Sequence, residues 1–270
     1  MSMSVILVVI LFLLMFFIGG DRGIIAFLAL IGNISILLLA IIMMNWGVNP
    51  IVVTFIGCSI IGLITIFYQN GKNAKTVAAF IAILIVIIIL FFIVYKIGMD
   101  SKINGLNEIR KKQDDIMGLS LDINIDMLSL GIAVIIIGFI GSIMDTAMAI
   151  SSSVYEVYKN NKHLSGKELF KSGINMGKDV LGTTINTLFF AFCAENMMLF
   201  ILLNQFNYSL IKIINSKAFF QEFIYIIFSA IASVLIIPIT AMSISYIISK
   251  PEKFKKLMSD DELFNDTIND

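Results

Sequence analysis

Apolar residues run along this chain in long, nearly uninterrupted blocks that are separated by short polar segments. The hydrocarbon core of a bilayer is about 30 Å thick, and a helix needs about 20 apolar residues to cross it. Blocks of this size predict spanning helices, because backbone groups inside lipid must bond to one another. We therefore predict an all-α transmembrane helical bundle of about seven spans, at residues 2–18, 24–44, 51–68, 77–97, 128–150, 180–203 and 223–248.

Composition agrees with a membrane protein and narrows the functional classes. Hydrophobic residues make up 59% of the 270 residues and charged residues 14%, against roughly 45–50% and about 25% in soluble domains. Lysine plus arginine and aspartate plus glutamate both total 19, so we expect no basic surface for nucleic acid. Cys58, Cys193 and the single histidine, His163, predict neither a disulfide framework nor a metal site. We expect no cofactor and a surrounding lipid bilayer.

The distribution of lysine and arginine predicts an orientation in the membrane. An odd number of spans places the two termini on opposite sides, and the side of the C-terminus then carries twelve of these residues against seven on the other. The positive-inside rule therefore predicts an outside N-terminus and a cytoplasmic C-terminus. We expect a transmembrane domain over residues 1–250 and a charged cytoplasmic tail over residues 251–270.

Small and polar residues are concentrated in the fifth and sixth predicted spans. At helical spacing they form a stripe on each span, which we expect to point into the bundle and to face the other stripe. The first stripe contains Gly141, Asp145, Ala149, Ser152 and Glu156, and the second contains Asp179, Thr183, Asn186, Thr187 and Phe190, with Thr184 beside it.

Asp145 is the strongest candidate for chemistry. It lies about 25 Å along its helix from Leu128, within the predicted membrane, where a carboxylate is costly and by default indicates proton or ion handling. The alternative is a structural ion pair with Lys171 or Lys178. Asp179 has a plainer explanation, because it lies where its span begins and a carboxylate favours the positive end of a helix dipole.

The connection between these two spans contains a helix start. Ser165 and Glu168 fit a capping box, which predicts a short helix on the membrane surface that runs toward Gly173. Gly173 and Gly177 are spaced as a small-xxx-small pair, which is typical of a tight helix contact. We favour a turn from the surface helix into the span at these glycines.

Three stretches of this chain resemble a known family. GSIMDTAMAISSSVYEV from Gly141, KELFKSGINMGKDVLGTTINTL from Lys167 and GGDRGIIAFLALIGN from Gly19 look like the YibE/F-like family of bacterial membrane proteins, in its shorter YibF-type form. The resemblance implies a bacterial cytoplasmic membrane and a YibE-type companion protein as a partner. A more distant, fold-level likeness is to the membrane half of SecD/SecF-type exporters, which also have an acid-bearing helix followed by a helix with a T-T-L pattern.

Two functions fit these patterns. The first is a transporter or permease-type subunit that is proton-coupled through Asp145, with the Gly/Ser/Thr stripes allowing helices to slide. The second is a non-transporting membrane partner or assembly subunit, in which the stripes pack against a companion or against a second copy in a homo-oligomer. An enzyme is not expected, because GSIMD lacks the glycine of the intramembrane aspartyl protease pattern GxGD.

Overall fold

The computed structural model describes residues 3–101, 126–205, 209–250 and 254. Helices make up nearly all of these residues, which confirms the all-α class. The predicted tail, residues 251–270, lies outside the described residues except for Phe254, which is half-buried against other apolar side chains. The helices are α1 (Met3–Asn45), α2 (Pro50–Leu63), a π-helix (Ile64–Tyr68), α3 (Ala74–Ser101), α4 (Met127–Asn160), α5 (Gly166–Glu195), α6 (Met197–Gln205), α7 (Leu210–Ile214) and α8 (Lys217–Ser249).

α1 is a hairpin of two arms rather than one straight helix. Gly20 has φ 54° and ψ −135°, a conformation that residues with a side chain rarely adopt. The rings of Phe12 and Phe27 lie 4.9 Å apart, although a straight helix would separate these residues by about 22 Å. Gly23 permits this reversal, because a Cβ there would lie 1.8 Å from the carbonyl oxygen of Met15.

α3, α4 and α8 form the centre of the bundle. Their branched side chains interlock in one apolar cluster that includes Ile83, Phe139 and Ile236, each at most 1% exposed. Two polar contacts fix the helices relative to one another. The Ser151 hydroxyl donates to the carbonyl oxygen of Lys75 at 2.6 Å, and the hydroxyls of Ser142 and Ser233 lie 3.3 Å apart. Such contacts matter inside a membrane, where close packing and hydrogen bonds take the place of the hydrophobic effect.

α5 is one continuous helix from Gly166 to Glu195, so the prediction of a short surface helix followed by a turn is wrong. The capping box itself is confirmed: the Ser165 N–H donates to the Glu168 carboxylate at 2.8 Å, and the Ser165 hydroxyl accepts from the Glu168 N–H at 3.4 Å. The Ser165 hydroxyl also donates to the Glu168 carboxylate at 2.8 Å, and the two hydrogen bonds from the Ser165 N–H and hydroxyl lower the pKa of the Glu168 carboxyl below its ordinary value.

Gly173 and Gly177 form a tight helix contact, so the preference for a turn at this pair is wrong. A Cβ on Gly173 would lie 2.7 Å from the Cβ of Ala241, and one on Gly177 would lie 2.2 Å from Cγ2 of Ile237. α5 therefore lies directly against α8 along this seam, which only glycine permits. The helix continues through both glycines because α8 supports it from outside.

Five helical segments are long and apolar enough to cross a membrane, by length and composition alone. They are Met3–Asn45, Pro50–Tyr68, Ala74–Ile97, Leu128–Asn160 and Glu222–Ser249. α5 is not among them, because its first four turns carry charged side chains and its helix ends at Glu195. The membrane character of the chain is thus supported, and the count of seven stays a prediction.

The seam between α5 and α8 predicts opposite results for two similar substitutions. Gly173→Ala should destabilise the protein by about 1–3 kcal/mol, because the new methyl group overlaps Ala241 and neither backbone can retreat cheaply. Gly182→Ala in the same helix should be neutral or slightly stabilising, since nothing lies within 4 Å of its Cβ position. Chemical unfolding in detergent measures both, and equal effects would contradict the seam.

Candidate functional site

The polar stripe of α4 lies on the outside of the chain. Gly138, Gly141 and Asp145 are exposed, whereas their neighbours Met144 and Thr146 are only 3% and 2% exposed. Apart from the adjoining backbone of α4 itself, no atom of the described residues lies within 4 Å of the Cβ position of either glycine. The prediction that this stripe points into the bundle is therefore wrong for a single chain.

The amino-acid pattern of α4 explains this orientation. Bulky side chains recur on the opposite side of the helix, where Ile143, Ala147, Ile150 and Val154 are fully buried. Large branched residues fill the spaces between α3, α4 and α8 far better than glycine, so packing turns the bulky side inward. Further toward the C-terminal end of the stripe, Ala149 and Ser152 are half-buried and Glu156 is exposed.

The second stripe, on α5, is also exposed. Asp179, Thr183, Asn186, Thr187 and Phe190 all lie on the surface, while Thr184 is half-buried. The threonine hydroxyls bond within their own helix: Thr183 and Thr184 donate to the carbonyl oxygen of Val180 at 2.8 and 3.1 Å, and Thr187 donates to that of Thr183 at 2.9 Å. The expected hydrogen bonds across to the stripe of α4 are not made by these hydroxyls, since each is satisfied locally.

The two stripes belong to neighbouring helices. A Cβ on Gly173 of α5 would lie 3.0 Å from Cγ2 of Val154 of α4, so the helices touch at this level. We call the exposed residues Gly138, Gly141 and Asp145 of α4, together with Asp179, Thr183, Asn186 and Thr187 of α5, the polar face. Both stripes of the polar face carry small and hydrogen-bonding side chains where the surfaces of α1 and α3 carry exposed leucine, isoleucine and phenylalanine.

Asp145 has no hydrogen-bond or ion-pair partner among the residues that the structure describes. Lys171 and Lys178, the predicted partners of a structural ion pair, are exposed and make no ion pair with it within that part of the chain. Its carboxylate lies inside the candidate span Leu128–Asn160. A carboxylate at the centre of a spanning helix costs about 2.5–3.5 kcal/mol or more when it faces lipid, and one elsewhere in the hydrocarbon core is also costly, so Asp145 needs water, protein or a bound proton.

Other polar groups were not singled out by sequence reasoning. Gly138 belongs to the stripe of α4. It lies seven residues, or about two helical turns, before Asp145, and this spacing could have placed it on the same face of the helix. Asn33 donates to the hydroxyl of Thr65 at 2.9 Å and ties α1 to the π-helix. The Thr146 hydroxyl, next to Asp145 in sequence, is buried without a partner in the described parts of the chain. No group of three or more His, Cys, Asp or Glu that could hold a metal occurs within those same parts.

Comparison with known proteins gives one match. A family model described as YibE/F-like protein matches residues 7–250, which covers the described helices almost completely. No curated protein and no solved structure matches the chain.

The open space around the stripe of α4 predicts that the isolated chain tolerates a large side chain there. Gly141→Leu should keep or raise the free energy of unfolding, by up to about 1 kcal/mol, because leucine favours a helix over glycine and meets no neighbour. The measurement is unfolding in a detergent in which the chain is monomeric. A loss of more than about 1 kcal/mol in the monomer would show that position 141 is packed within the chain.

Proposed function

The chain belongs to the YibE/F-like family, and we propose that it is a transporter or permease-type membrane subunit whose polar face works through protonation of Asp145. One observation carries the proposal: a carboxylate within a candidate span is exposed and lacks a partner among the described residues. A carboxylate held in place by an ion pair would already be neutralised. An unpaired one in this setting takes up and releases protons as its surroundings change.

We further propose that the chain crosses the bacterial cytoplasmic membrane seven times, with the N-terminus outside and the C-terminus in the cytoplasm. Two features support this count. The reversal at Gly20 divides α1 into two arms, each with the length of a span. α5 packs against α8, which is a candidate span, at Gly173 and Gly177. This contact supports α5 as a further span, although its charged turns keep it out of the five candidate spans.

Helix sliding is the motion that fits the polar face. Glycine at positions 138 and 141 leaves α4 smooth on this side, so another helix approaches its backbone closely without interlocking side chains. Thr183 and Thr187 satisfy their hydroxyls within α5, so they need no fixed partner across the contact. Protonation of Asp145 removes the charge that favours contact with water, and thereby shifts the preference of α4 toward a drier arrangement.

A second candidate function is a non-transporting assembly subunit. The exposure of Gly138 and Gly141 favours it, because small-residue surfaces are typical of contacts between membrane helices. The polar face would then be covered by a YibE-type companion or by a second copy of the chain, and Asp145 would bond to a group on that partner. An assembly subunit does not require Asp145 to bind and release protons, whereas the proton-coupled transporter does.

Charge movement after a rapid pH change separates the two functions. We expect the purified protein on a supported membrane to give a transient current on a pH jump, and Asp145→Asn to abolish it because asparagine takes up no proton. Glu195→Gln is the matched control: this residue is exposed at the outer end of α5, and its loss should leave the current in place. Matched unfolding midpoints establish that all three proteins are folded.

A stable wild-type protein that gives no current would contradict proton coupling by this chain alone and favour the assembly role. A current that survives in Asp145→Asn would contradict the assignment of Asp145 while keeping a transport function. Loss of the current in both variants would show that charge in general, rather than this carboxylate, is required.

A further inference from the structure

A cleft opens between the first turn of α5 and the last turns of α8, away from the polar face. Its volume is about 330 Å³. Its walls come from Gly166, Lys167 and Phe170 of α5 and from Met242, Ser245, Tyr246 and Ser249 of α8. Neither proton coupling nor assembly through the polar face uses any of these residues.

Close approach of the two helices bounds the cleft at Gly166 and Ser249. A Cβ on Gly166 would lie 2.5 Å from the hydroxyl oxygen of Ser249, so the first turn of α5 rests against the last turn of α8. The walls on the membrane side are apolar. Met242 and Tyr246 remain 63% and 51% exposed, and Phe170 is half-buried between the helices.

The end of the cleft at Gly166 and Ser249 is also positively charged. Lys167 lies at its edge, and the Lys250 ammonium donates to the Tyr246 hydroxyl at 3.0 Å while lying 4.4 Å from the centre of that ring. The N–H groups of Gly166 and Lys167 belong to the first turn of a 30-residue helix and have no bonding partner among the described residues. The acidic neighbour, Glu168, is held by the Ser165 backbone and hydroxyl of the capping box.

Ser245 is the observation that points to a ligand. This residue is 5% exposed and lines the cleft, and its hydroxyl oxygen is itself buried and has no hydrogen-bond partner in the described part of the chain. A ligand in the cleft reaches this oxygen once the serine side chain turns to another staggered rotamer. A buried hydroxyl without a partner costs about 1–3 kcal/mol, and native proteins rarely leave one unsatisfied. The nearby Ser249 hydroxyl, by contrast, donates to the carbonyl oxygen of Ser245 at 2.7 Å.

We propose that this cleft binds an anionic phospholipid, with its phosphate at Lys167, Lys250 and Ser245 and the start of an acyl chain along Met242 and Phe170. The apolar walls favour a lipid over a free phosphate, because an inorganic anion leaves them bare. The two lysines favour an anionic headgroup over a zwitterionic one, since each basic group near an anionic leaflet adds to the attraction. In the proposed orientation, the start of α5 and the end of α8 both lie at the cytoplasmic leaflet.

Native mass spectrometry of the full-length protein in detergent tests the site. Phosphatidylglycerol is titrated, and the dissociation constant of the first bound lipid is compared with that of phosphatidylcholine with the same acyl chains. We expect tighter binding of phosphatidylglycerol, a loss of about fivefold for Lys167→Gln and again for Lys250→Gln, and weaker binding for Ser245→Ala. Lys72→Gln, an exposed lysine in the loop before α3, is the matched control and should change nothing.

The unfolding midpoint of each lipid-free variant shows whether a loss of binding reflects misfolding. Ser245→Ala should keep or raise this midpoint, because alanine removes a buried hydroxyl that has no partner in the described part of the chain. Equal binding of both lipids, or equal losses for Lys72→Gln and Lys167→Gln, would overturn the site. Inorganic phosphate that displaces phosphatidylglycerol at millimolar concentration would overturn the assignment to a lipid and identify a free-anion site.

Discussion

The absence of water from the hydrocarbon core is the constraint on which this structure depends. Inside lipid, every polar group must find a partner within protein or carry a cost of several kcal/mol, on the order of 2.5–3.5 for a carboxylate at a helix centre. Several serine and threonine hydroxyls along α4, α5 and α8 obey that constraint by donating to carbonyl oxygens of their own helices. The hydroxyls of Thr146, Thr240 and Ser245 do not, since they are buried without a partner in the described part of the chain. Asp145 departs from it, and its exposure within a candidate span therefore demands an explanation in terms of function.

Packing explains why Asp145 lies on the outside. The bulky residues of α3, α4 and α8 form the central cluster, so the small residues of α4 are left on the opposite side. α5 follows a different rule, because glycines bring its backbone against α8 while its threonines and Asp179 point away. α5 thus forms a rigid seam with α8 at Gly173 and Gly177, while its exposed threonines and the exposed glycines of α4 are free to meet another helix.

The sequence predicted the helical class well, because uninterrupted apolar blocks and the Ser165–Glu168 capping box are local signals. It misassigned Gly173 and Gly177, because the same spacing suits a turn and a close contact, and Ala241 and Ile237 lie more than 50 residues away. The sequence also led to the wrong prediction that the stripe of Asp145 points into the bundle. A small polar stripe has the same pattern whether it packs within its own bundle or against a partner. The cleft at Ser245 combines residues from two distant segments, and no local pattern marks it.

In the proposed arrangement, the polar face meets protein or water rather than lipid. A nitroxide spin label at Gly141→Cys, in a background with Cys58→Ala and Cys193→Ser, reports this in liposomes through its collision rates with oxygen, which concentrates in lipid, and with a water-soluble nickel chelate. A label at Phe92→Cys, on the 66% exposed apolar surface of α3, gives the value for lipid contact. We expect an oxygen collision rate at position 141 several-fold below that at position 92, whereas equal rates at the two positions would place Asp145 in lipid and contradict a polar face that meets protein or water.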